Sequence, residues 1–192
     1  MTEVDGINRM LRYIGELPIP NDIAIDDLPE GHEAVYARTI LAETLREEQE
    51  SKWWFNSFET TFVPNSLGYI TLPYNLISLQ AKSSGKKYIA NGNDLYDTIN
   101  ETKVFTEPVT LKVLLAIDFS DVPDIFKTYV VLQAAKHLHT YLNADTTTQQ
   151  ELVQKIQLQR IKLDREHLRQ TKANLIKGNR LIDRTSNPSY LI

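Results

Sequence analysis

Apolar residues recur along this chain with two different periods, and the change of period divides it. Across residues 3–14, Val4, Ile7, Leu11 and Ile14 return every three or four positions, the spacing that stacks side chains on one helical face. Gly15 is placed to end that helix. Residues 17–31 hold three prolines and the acids Asp22, Asp26, Asp27 and Glu30, which predicts an extended surface connection. A second helix is expected over residues 33–53. Ala34, Ala37, Leu41, Leu45 and Trp53 share a stripe there, while Glu43, Arg46, Glu47 and Glu50 face away.

From Phe58 the pattern alternates instead. Residues 59–63, 68–72, 76–81, 87–90 and 95–98 read as short strands separated by turn residues. Asn91, Gly92, Asn93 and Asp94, between two Tyr-containing runs, form a strong hairpin signal, because Asn and Gly tolerate the positive φ that tight turns demand. Ser83, Ser84, Gly85 and Lys86 form a weaker one. Residues 109–117 alternate at first and then become fully apolar at Leu114 and Leu115, which marks a central strand.

Helical period returns at Pro123, with Asp121 or Asp124 as the candidate cap, and Ile125, Tyr129, Leu132, Ala135, Leu138, Tyr141 and Leu142 make a largely buried helix ending near Asn143. A fourth helix over residues 148–177 would be roughly 45 Å long. Its apolar stripe is thin. Leu158, Ile161, Leu168 and Leu175 keep a heptad-like register interrupted by Arg165 and Lys172, so this helix buries itself poorly in a lone subunit. The order of elements gives an α+β class: a mostly helical bundle with an inserted antiparallel β-sheet, a long C-terminal helix and an extended tail. The divisions fall at residues 1–57, 58–117, 118–177 and 178–192.

Composition narrows the chemistry. With 192 residues and 42% hydrophobic content the chain can fill a core. No apolar run approaches the roughly 20 residues of a membrane span, and the N-terminus has neither a basic nor an apolar signal region. The absence of cysteine excludes disulfides and thiolate metal sites and fits synthesis in a reducing cytoplasm. Residues 1–150 hold 12 Lys/Arg and 21 Asp/Glu, and residues 151–192 hold 9 and 4, so the two parts carry −9 and +5. A global basic footprint for nucleic acid is missing, whereas the basic end suits an acidic partner.

No catalytic constellation stands out. His137 and His139 lie two apart on a helix, about 200° around it, and cannot chelate together; one packed and one exposed imidazole is the plainer reading. His32 sits at a helix start, and His167 is expected on the polar face of the last helix. Ser84, Gly85, Lys86 and Lys87 only echo the end of a phosphate loop, whose first glycine would fall at Gln80. The aromatic run Trp53, Trp54, Phe55 and Phe58 is expected as a core hinge between helix and sheet rather than a binding platform. No cofactor or metal is expected.

Several strings taken together resemble one family. They are VDGINRMLRYIGELP (residues 4–18), Trp53-Trp54-Phe55-Asn56, Leu72-Pro73-Tyr74-Asn75-Leu76, a Lys-Tyr-Ile-x-x-Gly-x-x-Leu-Tyr-Asp hairpin (residues 87–97) and an Asp-x-x-Asp-x-Pro-x-x-Phe helix start (residues 118–126). In this order they resemble the tail tubular protein A family, the head-to-tail adaptors of short-tailed phages, over about residues 4–145. The resemblance implies a structural, non-enzymatic ring of twelve identical subunits between portal protein and tail nozzle (tubular protein B), located in the virion tail. Double-stranded DNA would pass through it during ejection without specific binding.

In such a ring the thin stripe of the fourth helix would be buried against neighbours, and an acidic lining would let DNA slide. Residues 178–192 would dock on portal through Arg180, Leu181, Ile182, Arg184, Tyr190, Leu191 and Ile192. The tips Ser83, Ser84, Gly85 and Lys86, and Asn91, Gly92, Asn93 and Asp94, would touch the nozzle or a neighbour. A tail-associated hydrolase of cell-envelope glycan is the alternative from another class.

Overall fold

The computed structural model describes residues 1–20, 24–29, 31–142 and 145–178, with side chains as far as Thr171. The order is α1 (Glu3–Tyr13), a 3-10 turn (Ile25–Asp27), α2 (Glu33–Gln49), β1 (Ser57–Phe62), β2 (Leu76–Ala81), β3 (Tyr88–Asn91), β4 (Asp94–Asp97), β5 (Val109–Leu115), α3 (Asp124–Tyr141) and α4 (Thr146–Gly178). The fold is α+β, with the strands inserted between α2 and α3.

The bundle is built around α3. Phe126, Tyr129, Val130, Val131, Leu132, Ala134, Ala135 and Leu138 are all buried, which covers nearly its whole circumference. A helix apolar all round has to be surrounded, and α1, α2 and α4 pack on it. Thr2 and Asp5 start α1 by a reciprocal exchange: the Asp5 N–H donates to Thr2 Oγ1 (3.1 Å) and the Thr2 N–H to Asp5 Oδ2 (2.9 Å). Gly6 lets α1 approach closely, since a Cβ there would lie 3.0 Å from Val131 Cγ2. The expected caps of α3 are not used. Pro123 holds the N-cap position with no side-chain bond, and Asp124 instead accepts from the Met1 ammonium at 3.2 Å.

The acidic Pro-rich connection is more firmly held than an extended surface strand. Ile19 and Ile25 are buried in the bundle core. Asn8 fixes the first of them, its Nδ2 donating to the Ile19 carbonyl (3.1 Å) and its Oδ1 accepting from the Ile19 N–H (2.7 Å). Arg38 of α2 forms an ion pair with Asp26.

Helix α2 stops at Gln49, four residues before the expected end. Lys52 takes a positive φ of 56°, and the Gln49 side chain turns inward. Its Nε2 donates to the Ile117 carbonyl (2.9 Å), its Oε1 accepts from the Ile117 N–H (2.7 Å), and Asn56 Nδ2 donates to the Gln49 carbonyl (2.8 Å). These bonds tie the end of α2 to the segment leaving β5, so the bundle and the sheet share a joint.

In the main sheet β5 is central, in the order β1-β5-β2, antiparallel throughout. This is the place that its apolar run predicts. The hairpin β3-β4 lies over one face and closes a second, smaller core of Ile70, Leu72, Leu95, Leu111 and Val113. The strand expected over residues 68–72 is reduced to a single bridge from Thr71 to Asp94. Gly68, at φ 84°, turns the chain there, where a Cβ would meet Val104 Cγ1 at 2.7 Å.

In α4 a second apolar row, which the sequence reading did not single out, does the packing. The residues that pack it on the bundle are Leu152, Ile156 and Leu163. The heptad-like residues Leu158, Ile161 and Leu168 are 62%, 48% and 51% exposed. The side chain of Leu175 and residues 179–192 lie outside the described residues, as does every residue proposed for portal docking.

Candidate interaction surfaces

The Asn91-to-Asp94 turn forms as expected. Asn91 pairs with Asp94, and Gly92 at φ 66° supplies the left-handed conformation that a two-residue hairpin needs at its first central position. Asn91, Gly92 and Asn93 are exposed. Asp94 is half-buried and lies 3.9 Å from Lys103, whose Nζ donates to the Asn91 carbonyl at 3.1 Å. The Asn93 carbonyl accepts from Leu72 N–H at 2.7 Å, which braces the tip from the side.

Ser83, Ser84, Gly85 and Lys86 are all exposed. They connect β2 to β3, whereas the other tip connects β3 to β4, so the two tips lie at opposite ends of β3. The four residues of β3 span about 13 Å. One flat partner surface therefore cannot meet both turns end-on.

Beside the Lys86 end lies a cavity of about 350 Å³, bordered by Lys86, Tyr88, Asp97, Asn100, Thr102 and Glu107 among others. Asp97 anchors this end. Its carboxylate accepts from the Ile99 N–H (2.9 Å), the Asn100 N–H (3.1 Å) and Asn100 Nδ2 (2.8 Å). Burial pushes its pKa up, but the Asn100 side-chain bond and the two backbone bonds, with the positive charge of Lys86, outweigh that and hold it below the ordinary 3.8. A depressed folded pKa stabilises the fold above the unfolded value, and that stability is lost as pH falls through the folded one. Amide protection factors across β3 and β4, corrected for the intrinsic pH dependence of exchange, should therefore be high at pH 7 and should fall only as the pH drops below 3.8. Asp97→Ala should show reduced protection factors already at pH 7, and unchanged protection in that variant would show that the carboxylate does not hold the hairpin.

Each of the four histidines occupies a separate setting. His32 Nδ1 accepts from Ala34 N–H (3.1 Å) and caps α2. His137 is exposed, 3.4 Å from Thr44 Oγ1, while His139 is buried with Nε2 3.5 Å from Asp145. That is the packed and exposed pair expected from their spacing. His167 departs from expectation: it turns inward against Trp53 and Trp54, with ring centroids 5.6 and 6.0 Å away. Among the described residues no group of three or more His, Asp or Glu is placed to hold a metal ion, and no helix is long and apolar enough to cross a membrane.

Trp53, Trp54 and Phe55 form the expected hinge in the core, whereas Phe58 does not join it and is exposed on β1. Trp53 is buried against Phe126 at 5.6 Å, and its Nε1 donates to the Glu48 carbonyl at 2.7 Å. Arg160 of α4 lies over the Trp53 ring at 4.8 Å and donates to Tyr129 Oη at 3.3 Å. Gln133 Nε2 and Tyr129 Oη both donate to Glu48. This polar and aromatic joint connects α2, α3 and α4.

The surface most in need of a partner is the outward side of α4. Leu158, Ile161 and Leu168 lie nearly opposite the packed Leu152, Ile156 and Leu163, and with 33 residues α4 is far longer than the 18-residue α3 on which it lies. The sequence carries both stripes. Leu152, Ile156 and Leu163 also fall on one helical face, but their seam is filled out by Gln159 and Arg160, whose polar heads reach the Ile125 carbonyl (2.9 Å) and Tyr129, so periodicity alone conceals it.

Residues 4–187 match the model of a protein family described as tail tubular protein. A tail tubular protein A from Klebsiella phage KP34 is 32% identical over 124 residues, or 65% of this chain and 64% of that relative. The matched stretch thus spans less than two thirds of the relative's own length.

Proposed function

The chain belongs to the tail tubular protein family and has a structural role in a phage tail, and from that premise we propose that it is the head-to-tail adaptor of a short-tailed bacteriophage. In this reading identical subunits form a ring between portal protein and tail nozzle, and double-stranded DNA passes through it without specific recognition. Residues 178–192 dock on portal, and the two hairpin tips, being at opposite ends of β3, serve two different contacts, one with the nozzle and one with a neighbour. The subunit is made in the host cytoplasm and acts by shape and surface, not by catalysis.

The observation that carries this reading, beyond family membership, is the exposed apolar stripe of α4. Three large aliphatic side chains exposed along one side of a long helix support a contact with another chain there. Electron microscopy of the purified chain alone and with its portal tests the proposal. Rings are expected on portal, and truncation after Lys177 should leave thermal unfolding nearly unchanged while weakening attachment. Single subunits that never assemble on portal would refute the adaptor reading, and intact attachment after truncation would remove the docking role of the tail.

A further inference from the structure

We propose that the outward face of α4 docks on the outward face of α2 in a second copy of the chain. The proposal rests on the ring reading above and names the two surfaces that would join. The α4 face consists of Leu158, Ile161 and Leu168 flanked by Lys162, Arg165 and Arg169, all exposed. Arg169 is engaged by Glu166, Nε to Oε2 at 2.8 Å and Nη2 to Oε1 at 2.5 Å. Lys162 and Arg165 make no ion pair among the described residues. The surface is therefore apolar with uncompensated positive charge.

That combination selects the partner. Two α4 faces cannot pair with each other by a two-fold axis, because each would bring Lys162 and Arg165 against the same cations, and like charges brought together at an interface are strongly unfavourable. The occupant needs acids beside an apolar surface. The chain itself presents this on α2 and its C-cap, where Tyr36, Thr39, Glu43, Arg46, Glu47 and the capping Glu50 are exposed on one side. Glu43, Glu47 and Glu50 make no ion pair among the described residues. At the start of this face the Tyr36 ring lies 6.0 Å from that of Tyr141 of α3, tilted by 36°, and both rings are exposed.

The geometry suits repetition. Both α2 and α4 lie against α3, and their outward faces belong to different sides of the bundle. A contact between unlike faces is heterologous: each copy uses α4 on one neighbour and α2 on the other, and such contacts generate rings when the rotation closes. The aliphatic stems of the glutamates and the Tyr36–Tyr141 pair would cover the leucine stripe, while the carboxylates meet Lys162 and Arg165.

Charge exchange tests the contact. Full-length Lys162→Glu/Arg165→Glu and full-length Glu43→Lys/Glu47→Lys should each keep wild-type far-UV dichroism and melting, because all four residues are exposed, and each should lower the yield of portal-templated rings about tenfold or more. One chain carrying all four changes should recover ring yield to within about threefold of wild type. If wild type forms rings and neither pair of substitutions reduces them, the two faces do not meet and the adaptor reading stands alone. If the pairs abolish rings and the combined variant does not restore them, α4 or α2 binds portal or nozzle instead, and the proposal falls. Wild-type chains that form no ring on portal would overturn both readings together.

Discussion

Replacing Phe126 with alanine is expected to destabilise the protein by about 3–5 kcal/mol. The ring is fully buried and lies 4.9 Å from Phe55, 5.6 Å from Trp53 and 6.4 Å from Tyr129. Trp53 in turn packs on His167 of α4, so the cavity would open where all three larger helices and the start of the sheet segment converge. Rigid aromatic neighbours cannot collapse into the space, which places the cost toward the upper end. For a chain of this size the loss corresponds to a fall in Tm of about 10 °C. Urea unfolding followed by tryptophan fluorescence measures it directly, since Trp53 borders the site and Trp54 packs on Trp53 and Phe55. A cost below about 1 kcal/mol would mean that the cluster is not the centre of the bundle.

Gln49→Ala is expected to cost about 2–4 kcal/mol although it removes a polar residue. The amide is 1% exposed and satisfies both the N–H and the carbonyl of Ile117. Truncation leaves two backbone groups without partners, and each orphaned group costs about 1–3 kcal/mol. The effect should also be visible in cooperativity, because this bond pair joins the bundle to the sheet. Separate melting of the β signal and the helical signal is expected in the variant where wild type melts once. Gln49→Leu, which keeps the volume, should not rescue it. A stability within about 0.5 kcal/mol of wild type would show that the joint is carried by packing alone.

The two sites mark the boundary between what was legible in the sequence and what was not. The helices α1 to α3, the central position of β5, the hairpin at Gly92 and the α+β class follow from periodicity and turn chemistry, which are local and need only neighbouring residues. The Trp53 hinge could be assigned to a core because large rings have few alternatives to burial, whereas the burial of Phe126, a residue outside the apolar row read for α3, emerged only in the structure. The end of α2 could not be assigned either. Nothing in the spacing of Gln49 distinguishes an amide that stops a helix and holds Ile117 from one that faces water, since its partner is 68 positions away in the chain. The same holds for Asn8 on Ile19.

For α4 the sequence determined that a long, basic, weakly apolar helix would form, and that one stripe on it would lack company in a lone subunit. Only the tertiary structure showed that a second row, Leu152, Ile156 and Leu163, packs on the bundle. Two aliphatic rows compete for α3, and the row that wins is the one whose intervening Gln159 and Arg160 find the Ile125 carbonyl and the Tyr129 and Trp53 rings. The rival row carries Lys162 and Arg165, which have no acidic partner among the described residues, and burying it against the bundle would strip water from cations with nothing to replace it. A hydrophobic pattern ranks faces by their apolar positions, but the polar residues between those positions settle which face can be desolvated, and their partners exist only once the chain has folded.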